Sequence, residues 1–544
     1  MSRLRVLIVP VRAAVLMTSA CVLLMTPSFS LPQEELAIPV RGEPAPAKPI
    51  RGAYQGPPRA IPVLEPIIKK TCSQCHRFPP PETLPKKAWL GMLNLMSDLA
   101  SAGQPSRPLN DVRFDELVTY FTTLAPDDLD AKPWTPAATP STRIQIEHVA
   151  SFGGTLAGLS PGTSHVKLMH LWEDSPGPQL VVTDMMSGWI MWAEPKDLKA
   201  GLQKIIRLSN PSHVEMVDLD KDGRMDLIVG DLGTAAATDQ KAGSVVWLRR
   251  TGKRTFEKIP IATRLGRVAD VQAADFNGDG KLDLVVADFG RYTAGQILYL
   301  ENRSSAGKTA FTQVPLAKIP GTITLPVLDL NGDGKPDFVA LIAQSMEAVV
   351  GYINTGKGQF ESRVLWAGPN PVWGFSGIAP GDLNGDGRMD FVVTNGDTVD
   401  DGVHFKPYQG VGWLENKGDL QFEYHNIGRY YGAYAPKIAD ADGDGDLDVI
   451  VTSFLPGADQ ANQRKMALPG IVWYEQVSPG VFLAFPFPDD TCYHPTLEAG
   501  DIDGDGNIEV ITGSIWLRSS PFSLQSSSVD IWRMRRVGAT RPAR

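Results

Sequence analysis

Six copies of one loop pattern constrain this chain more than any other feature. The pattern Asp-x-Asp/Asn-x-Asp-Gly-x-x-Asp/Glu begins at Asp218, Asp275, Asp329, Asp382, Asp440 and Asp501, and an apolar run follows each copy. Successive copies lie 57, 54, 53, 58 and 61 residues apart, enough for four short antiparallel strands. One such unit cannot bury its hydrophobic face alone, whereas a closed ring of them can. A degenerate seventh copy lies upstream. There, His170-Leu171-Trp172-Glu173-Asp174 has lost the carboxylates but still precedes an apolar run, Gln179 to Thr183. The spacing predicts an all-β propeller over residues 143–535, with seven blades favoured over six or eight.

Each intact copy sets oxygen donors at positions 1, 3, 5 and 9. The first three copies supply Asp218, Asp220, Asp222 and Asp226; Asp275, Asn277, Asp279 and Asp283; and Asp329, Asn331, Asp333 and Asp337. The last three supply Asp382, Asn384, Asp386 and Asp390; Asp440, Asp442, Asp444 and Asp448; and Asp501, Asp503, Asp505 and Glu509. Such hard ligands suit Ca2+, and glycine at position 6 permits the turn that gathers them. An EF-hand shares this opening but requires glutamate at position 12 and flanking helices. Position 12 here is Val229, Val286, Ala340, Val393, Val451 or Thr512, and the flanks are strand-like. Up to six calcium ions, acting as structural clips between strands, are the expectation.

The N-terminal part has a different character. Cys72-Ser73-Gln74-Cys75-His76 is C-x-x-C-H, in which two thiols bond the vinyl groups of one covalent haem c and the histidine ligates its iron. No second Cys/His pair nearby would complete a zinc site. Helical patterns surround the motif, over Val63 to Lys70, Lys86 to Ala100 and Val112 to Leu124, which predicts a small all-α cytochrome c domain over residues 62–125. Met92 and Met96 share one helical face; Met96 is the expected distal ligand, with Met92 packing against the ring. Residues 126–142 read as a linker that permits either fixed or mobile docking.

Arg3, Arg5 and Arg12 precede an apolar run from Ala13 to Met25, and small residues at Ser28 and Ser30 suit cleavage after Ser30. Export to the periplasm or the extracellular space follows, with lipidation at Cys21 or an uncleaved anchor as alternatives. Residues 31–61 read as a Pro-rich disordered tether and 536–544 as a tail. After cleavage three cysteines remain, and Cys492 is expected to be a buried small hydrophobe. The net charge of −9 sits largely in the repeated loops, and no basic patch interleaved with aromatics speaks for nucleic acid.

The loops resemble FG-GAP/VCBS repeats of integrin-like propellers. The chain as a whole is similar to bacterial exported proteins that place a small cytochrome c ahead of such a propeller. The likeness is carried by Cys72 to Pro79, Leu84 to Trp89, Met96, Tyr120-Phe121, Val268 to Asp275 and Lys406-Pro407-Tyr408, and it implies fold, haem and calcium without an active site. Residues just ahead of the innermost strands, namely His213, Arg267, Trp373, Tyr434 and His494, are expected to converge on the channel mouth opposite the calcium loops. There they would suit a carbohydrate or another polar small molecule. Two functions follow as expectations: electron transfer to a redox partner or envelope electron-transfer chain with the propeller as docking platform, or a haem-coupled dehydrogenase with its substrate at the mouth. An adhesion or scaffold module is the third.

Overall fold

The computed structural model describes residues 56–74, 76–102, 111–137, 141–153, 160–175, 177–195, 197–305, 308–344, 346–399, 402–516 and 528–537. The expected export signal, Cys21, most of the expected tether, Cys75 and the last seven residues of the tail lie outside these. Seven antiparallel sheets form the blades. Blades 1 to 6 follow the chain from Thr163 to Pro486, each running from its innermost to its outermost strand. Blade 7 takes Thr496–Gly500, Ile508–Gly513 and Val529–Arg536 from the C-terminal end, and its outer strand is Ile144–Phe152. That pairing, from Ile144 opposite Arg536 to Phe152 opposite Val529, closes the ring.

The degenerate repeat forms blade 1, with Gln179–Asp184 as its second strand. Second strands such as Asp226–Asp231 and Asp283–Asp288 are buried along their whole length, which is why they read as unbroken apolar runs. Cores form between neighbouring blades: Ile228 and Trp247 of blade 2 pack with Val271, Leu284 and Val286 of blade 3. Blade 4 has a broken inner strand, Thr322–Thr324 then Val327–Leu328, because Pro326 between them has no N–H to pair.

Three helices, α1 (Ile61–Cys72), α2 (Lys86–Ala102) and α3 (Phe114–Leu124), pack around Leu64, Ile68, Trp89 and Phe121. The Trp89 and Phe121 rings stack at 4.1 Å, and the indole donates to the Pro81 carbonyl at 2.9 Å. The end of the expected tether is not loose. Glu116, 2% exposed, accepts the Arg59 backbone N–H at 2.9 Å and its guanidinium at 2.7 Å, and Arg113 donates to the Gly56 carbonyl at 3.0 Å. A buried carboxylate needs these donors, so residues 56–60 belong to the helical module rather than to a disordered segment.

The linker is equally fixed. Lys132 donates its N–H to the Tyr431 hydroxyl at 3.0 Å, Trp134 is buried in the core of blade 6, and Ala137 bonds the Ala484 carbonyl at 2.8 Å. It descends the edge of blade 6 from one face of the ring to the other, where the outer strand of blade 7 begins.

Arg59 holds the Glu116 carboxyl well below its ordinary value of 4.5, at about 2. A depressed carboxylate stabilises the fold above its unfolded pKa, and that contribution is lost as pH falls towards about 2. The Glu116→Gln variant should lose about 2 kcal/mol at neutral pH. Its helical module should also show a flatter stability profile between pH 5 and 2, followed by circular dichroism of the helices.

Candidate functional site

In every blade the loop from first to second strand opens on one face of the ring, and the loop from second to third strand opens on the other. The acidic loops therefore share one face. Glycine at position 6 has φ between 79° and 98° in all six, a conformation that side chains disfavour. In five of the six, the position-1 carboxylate accepts the backbone N–H groups of positions 5 and 6 at 2.8–3.1 Å. In three loops the carboxylates converge closely enough to hold one ion: Asp218, Asp220 and Asp226; Asp440, Asp442 and Asp444; Asp501, Asp503 and Glu509.

Position 9 does something the repeat pattern did not announce. Asp226, Asp283, Asp337, Asp390 and Asp448 each begin a second strand and are fully buried. One oxygen of each accepts a backbone N–H from the third strand at 2.7–2.8 Å, from Arg250, Asn302, Asn354, Asn416 and Gln476 in turn. The other reaches back to the position-2 N–H in four of them, and in Asp283 to the Tyr299 hydroxyl at 2.8 Å. In blade 7 the longer Glu509 likewise accepts the position-2 N–H of Ile502 at 3.1 Å, and its other oxygen meets the Arg533 guanidinium. Burial pushes these carboxyls up, Asp448 to about 7. The sequence did carry a signal, the recurring Glu-Asn or Glu-Gln at 301–302, 415–416 and 475–476. The amide side chains of Asn302, Asn416 and Gln476 cap the position-8 carbonyls.

The loops fall into two classes. Where position 3 is aspartate, an arginine from a strand edge pairs it: Arg249 with Asp220 at 2.7 Å, Arg143 with Asp442 at 2.7 Å, and Arg533 with Asp503 at 2.6 Å. Where position 3 is Asn277, Asn331 or Asn384, no such ion pair occurs among the described residues. In the three aspartate loops the arginine offsets the carboxylate that position 3 adds.

The residues expected at the opposite mouth separate into three groups. Arg267, directly before the inner strand of blade 3, and Tyr434, in the inner strand of blade 6, interact electrostatically across the ring. His213 lies within the inner strand of blade 2, its ring stacked at 4.4 Å on His165 and its Nδ1 3.2 Å from Asp270. Burial, with His213 adding, holds His165 far below its ordinary pKa, so this imidazole is neutral. Trp373 is drawn aside: it stacks at 5.5 Å on Tyr408, whose hydroxyl donates to the Thr83 carbonyl of the helical module at 3.2 Å.

His494 is 1% exposed, 2.8 Å from Asp489 and 3.1 Å from the Ser514 hydroxyl. This serine, histidine and aspartate have the membership of a hydrolytic triad, but Ser514 is itself 1% exposed, so the set ties blades 6 and 7 together. Cys492 is fully buried and its thiol is pushed up to about 12, which makes it unreactive.

The helical module sits on the same face as this mouth. Arg77 donates to the Gly368 carbonyl at 3.0 Å, and Val372 joins the core of the three helices. Beneath it Lys406, 1% exposed, donates to the Val372 and Asp397 carbonyls. Cys72 ends α1 and is half-buried; His76 follows, with its Nδ1 2.7 Å from the Arg77 carbonyl. That contact fixes a proton on Nδ1 and leaves the Nε2 lone pair available. Met92 packs against the three-helix core, and Met96 is half-buried on the same helix.

With this geometry in view, the repeats match a known family model, the FG-GAP-like repeat, over residues 218–286 and 295–393. The matched spans run from the acidic loop of blade 2 to the second strand of blade 5. Both matched spans lie within the propeller and leave the helical module unmatched. Over 313 residues the chain is 26% identical to cartilage acidic protein 1 of Xenopus tropicalis, covering 51% of this chain and 48% of that protein. The chain thus spans about half the length of this curated relative. Virginiamycin B lyase from Staphylococcus aureus matches at 11% identity with a TM-score of 0.42, covering 72% of this chain and 99% of that one. The N-terminal domain of Nup159 matches at 11% identity and 0.42, covering 74% and 100%.

The position-9 carboxylate of a repeat blade should matter more to folding than its exposed neighbours. Replacing Asp337 with Ala leaves two buried N–H groups without acceptors and should cost about 3 kcal/mol. Asp333→Ala, at an exposed loop position, should cost under about 1 kcal/mol in chelator-treated protein. Urea unfolding of both variants checks the difference, and equal losses would refute it.

Proposed function

We propose that this chain is an exported electron-transfer protein, in which the helical module carries one covalent haem c and the FG-GAP propeller serves as a calcium-stabilised binding platform. The observation that carries this reading is the donor set at the end of α1. In the sequence two residues separate Cys72 from Cys75 and His76 follows directly, and the His76 Nδ1 is engaged by a backbone carbonyl, the arrangement that orients a metal-ligating histidine. Cys72 and Cys75 would hold the haem, and His76 and Met96 would supply its iron ligands. The bound group would supply one-electron chemistry. The chain's own residues orient His76, surround the site with the apolar cluster of Trp89, Tyr120 and Phe121, and fix the module to the propeller through Arg77 and Tyr408. The partner would be another redox protein or an envelope electron-transfer chain. A substrate oxidised at the mouth is the related enzymatic reading.

Calcium at the six loops is supported by oxygen donors at the same four positions in each, and by the convergence of three carboxylates in three of them. A second function, a binding or scaffold module without electron transfer, is favoured by the FG-GAP repeat match, which covers the propeller alone.

The two functions separate in one experiment. Protein matured in a host with cytochrome c assembly should show a reducible covalent haem spectrum, which Cys72→Ser with Cys75→Ser abolishes while the propeller stays folded. A chain that takes up no haem leaves the scaffold reading. Chelation should lower the melting temperature of the propeller, and calcium should restore it more strongly than magnesium. Indifference to calcium would remove the ion from the proposal.

A further inference from the structure

A buried cation without a carboxylate partner is costly, and proteins keep such a group where something else neutralises it. Arg267 and Arg291, both half-buried at the mouth opposite the acidic loops, lack such a partner among the described residues. Arg267 makes one long contact, Nη2 to the Ala235 carbonyl at 3.5 Å, and Arg291 makes one from Nη1 to the Ala237 carbonyl at 3.0 Å. The Nε atoms of both are buried and have no hydrogen-bond partner. Among the described residues no ion pair reaches either group.

Burial, with the positive charge of Arg291 adding, pushes Arg267 down to about 10, and the Tyr434 hydroxyl opposes that shift, so Arg267 stays cationic at neutral pH. Asp239, from the neighbouring loop of blade 2, is spent on the backbone. One of its oxygens accepts the N–H groups of Arg291, Tyr292, Thr293 and Ala294 at 2.9–3.2 Å, which pins the loop bearing Arg291 to blade 2.

We propose that Arg267 and Arg291 form an anion-binding site at this mouth, taking a small ligand through a carboxylate, sulfate or phosphate group. Each guanidinium carbon lies over an aromatic ring, Arg267 over Phe289 at 5.7 Å and Arg291 over Tyr292 at 4.7 Å, contacts that restrict the side chains. Planar forks match such oxyanions with paired hydrogen bonds, and burial strengthens them. Tyr434 adds a hydroxyl from the opposite side of the channel. The site names the ligand chemistry of the propeller platform and requires no haem, so it survives failure of the electron-transfer reading.

Calorimetric titration of the full mature chain at constant ionic strength tests it, with sulfate, inorganic phosphate and glucuronate as probes against a chloride background. At least one probe should bind, and Arg267→Gln and Arg291→Gln should each weaken it tenfold or more. Arg303→Gln, a charge removed from an exposed strand end, should leave binding unchanged. Both mouth variants should be at least as stable as the wild type in chloride, because an uncompensated charge is gone. Binding of glucuronate alone assigns a carboxylated ligand; binding of sulfate or phosphate assigns a tetrahedral oxyanion. The site is overturned if no probe binds, if the mouth variants bind as the wild type does, or if they are destabilised in chloride, which would make the guanidiniums structural.

Discussion

Each repeat blade depends on one buried carboxylate that holds three pieces of backbone at once. Asp337, for example, starts the second strand, accepts the Leu330 N–H of its own acidic loop at 3.0 Å, and accepts the Asn354 N–H of the third strand at 2.7 Å. Without it, two amides would be sealed in an apolar environment with no acceptor, a cost that falls on the centre of the blade. The same carboxylate belongs to the acidic loop, so the loop and the core fold as one joint. The charge stays expensive, as the upward shifts of these groups record, and a cation seated at the loop would reduce that expense.

This joint divides the molecule into two unlike faces. On the acidic face the loops are nearly interchangeable, because each must satisfy the same backbone groups, and even the choice of Asp or Asn at position 3 is matched by the presence or absence of an arginine. The opposite face is under no such repeat constraint. Its loops differ in length and residue type, and they carry the helical module, the aromatic pair Trp373 and Tyr408, and the unpaired arginines. Specific recognition belongs on the face whose loops are free to differ, on a scaffold held rigid by the face whose loops are not.

What could be read from the sequence follows the same division. The repeat period and the buried second strands were legible because each blade solves one problem in the same way, and the three helices were legible from their periodicity. The pairing of Ile144–Phe152 with Val529–Arg536 was not, since nothing local marks two strands at opposite ends of the ring as partners. At the mouth, a position ahead of an inner strand fixes where the backbone lies, but not what the side chain meets. Trp373 found Tyr408, and His494 found Asp489, five residues earlier in the chain. Arg291 went unseen because it lies in a loop between second and third strands, where no repeat pattern points to it. The acidic residue at position 9, expected as a metal ligand, serves the blade as a structural acceptor, a role the repeat pattern alone does not mark.

The docked linker bears on how the two parts can work together. A flexible connection would let the helical module sample many positions, and any exchange with a ligand on the propeller would be an average over them. Here the chain leaves α3, loses Trp134 into the core of blade 6 and becomes the outer strand of blade 7, so the module is tied to the ring closure itself. Arg77 and Tyr408 add contacts at blades 4 and 5. Moving the module would expose a buried indole and strip hydrogen bonds from the carbonyls that Arg77 and Tyr408 reach, so a single arrangement is strongly preferred. A module held this way keeps one distance to the mouth on its own face. Whatever passes between them then depends on that fixed separation rather than on the length of a tether.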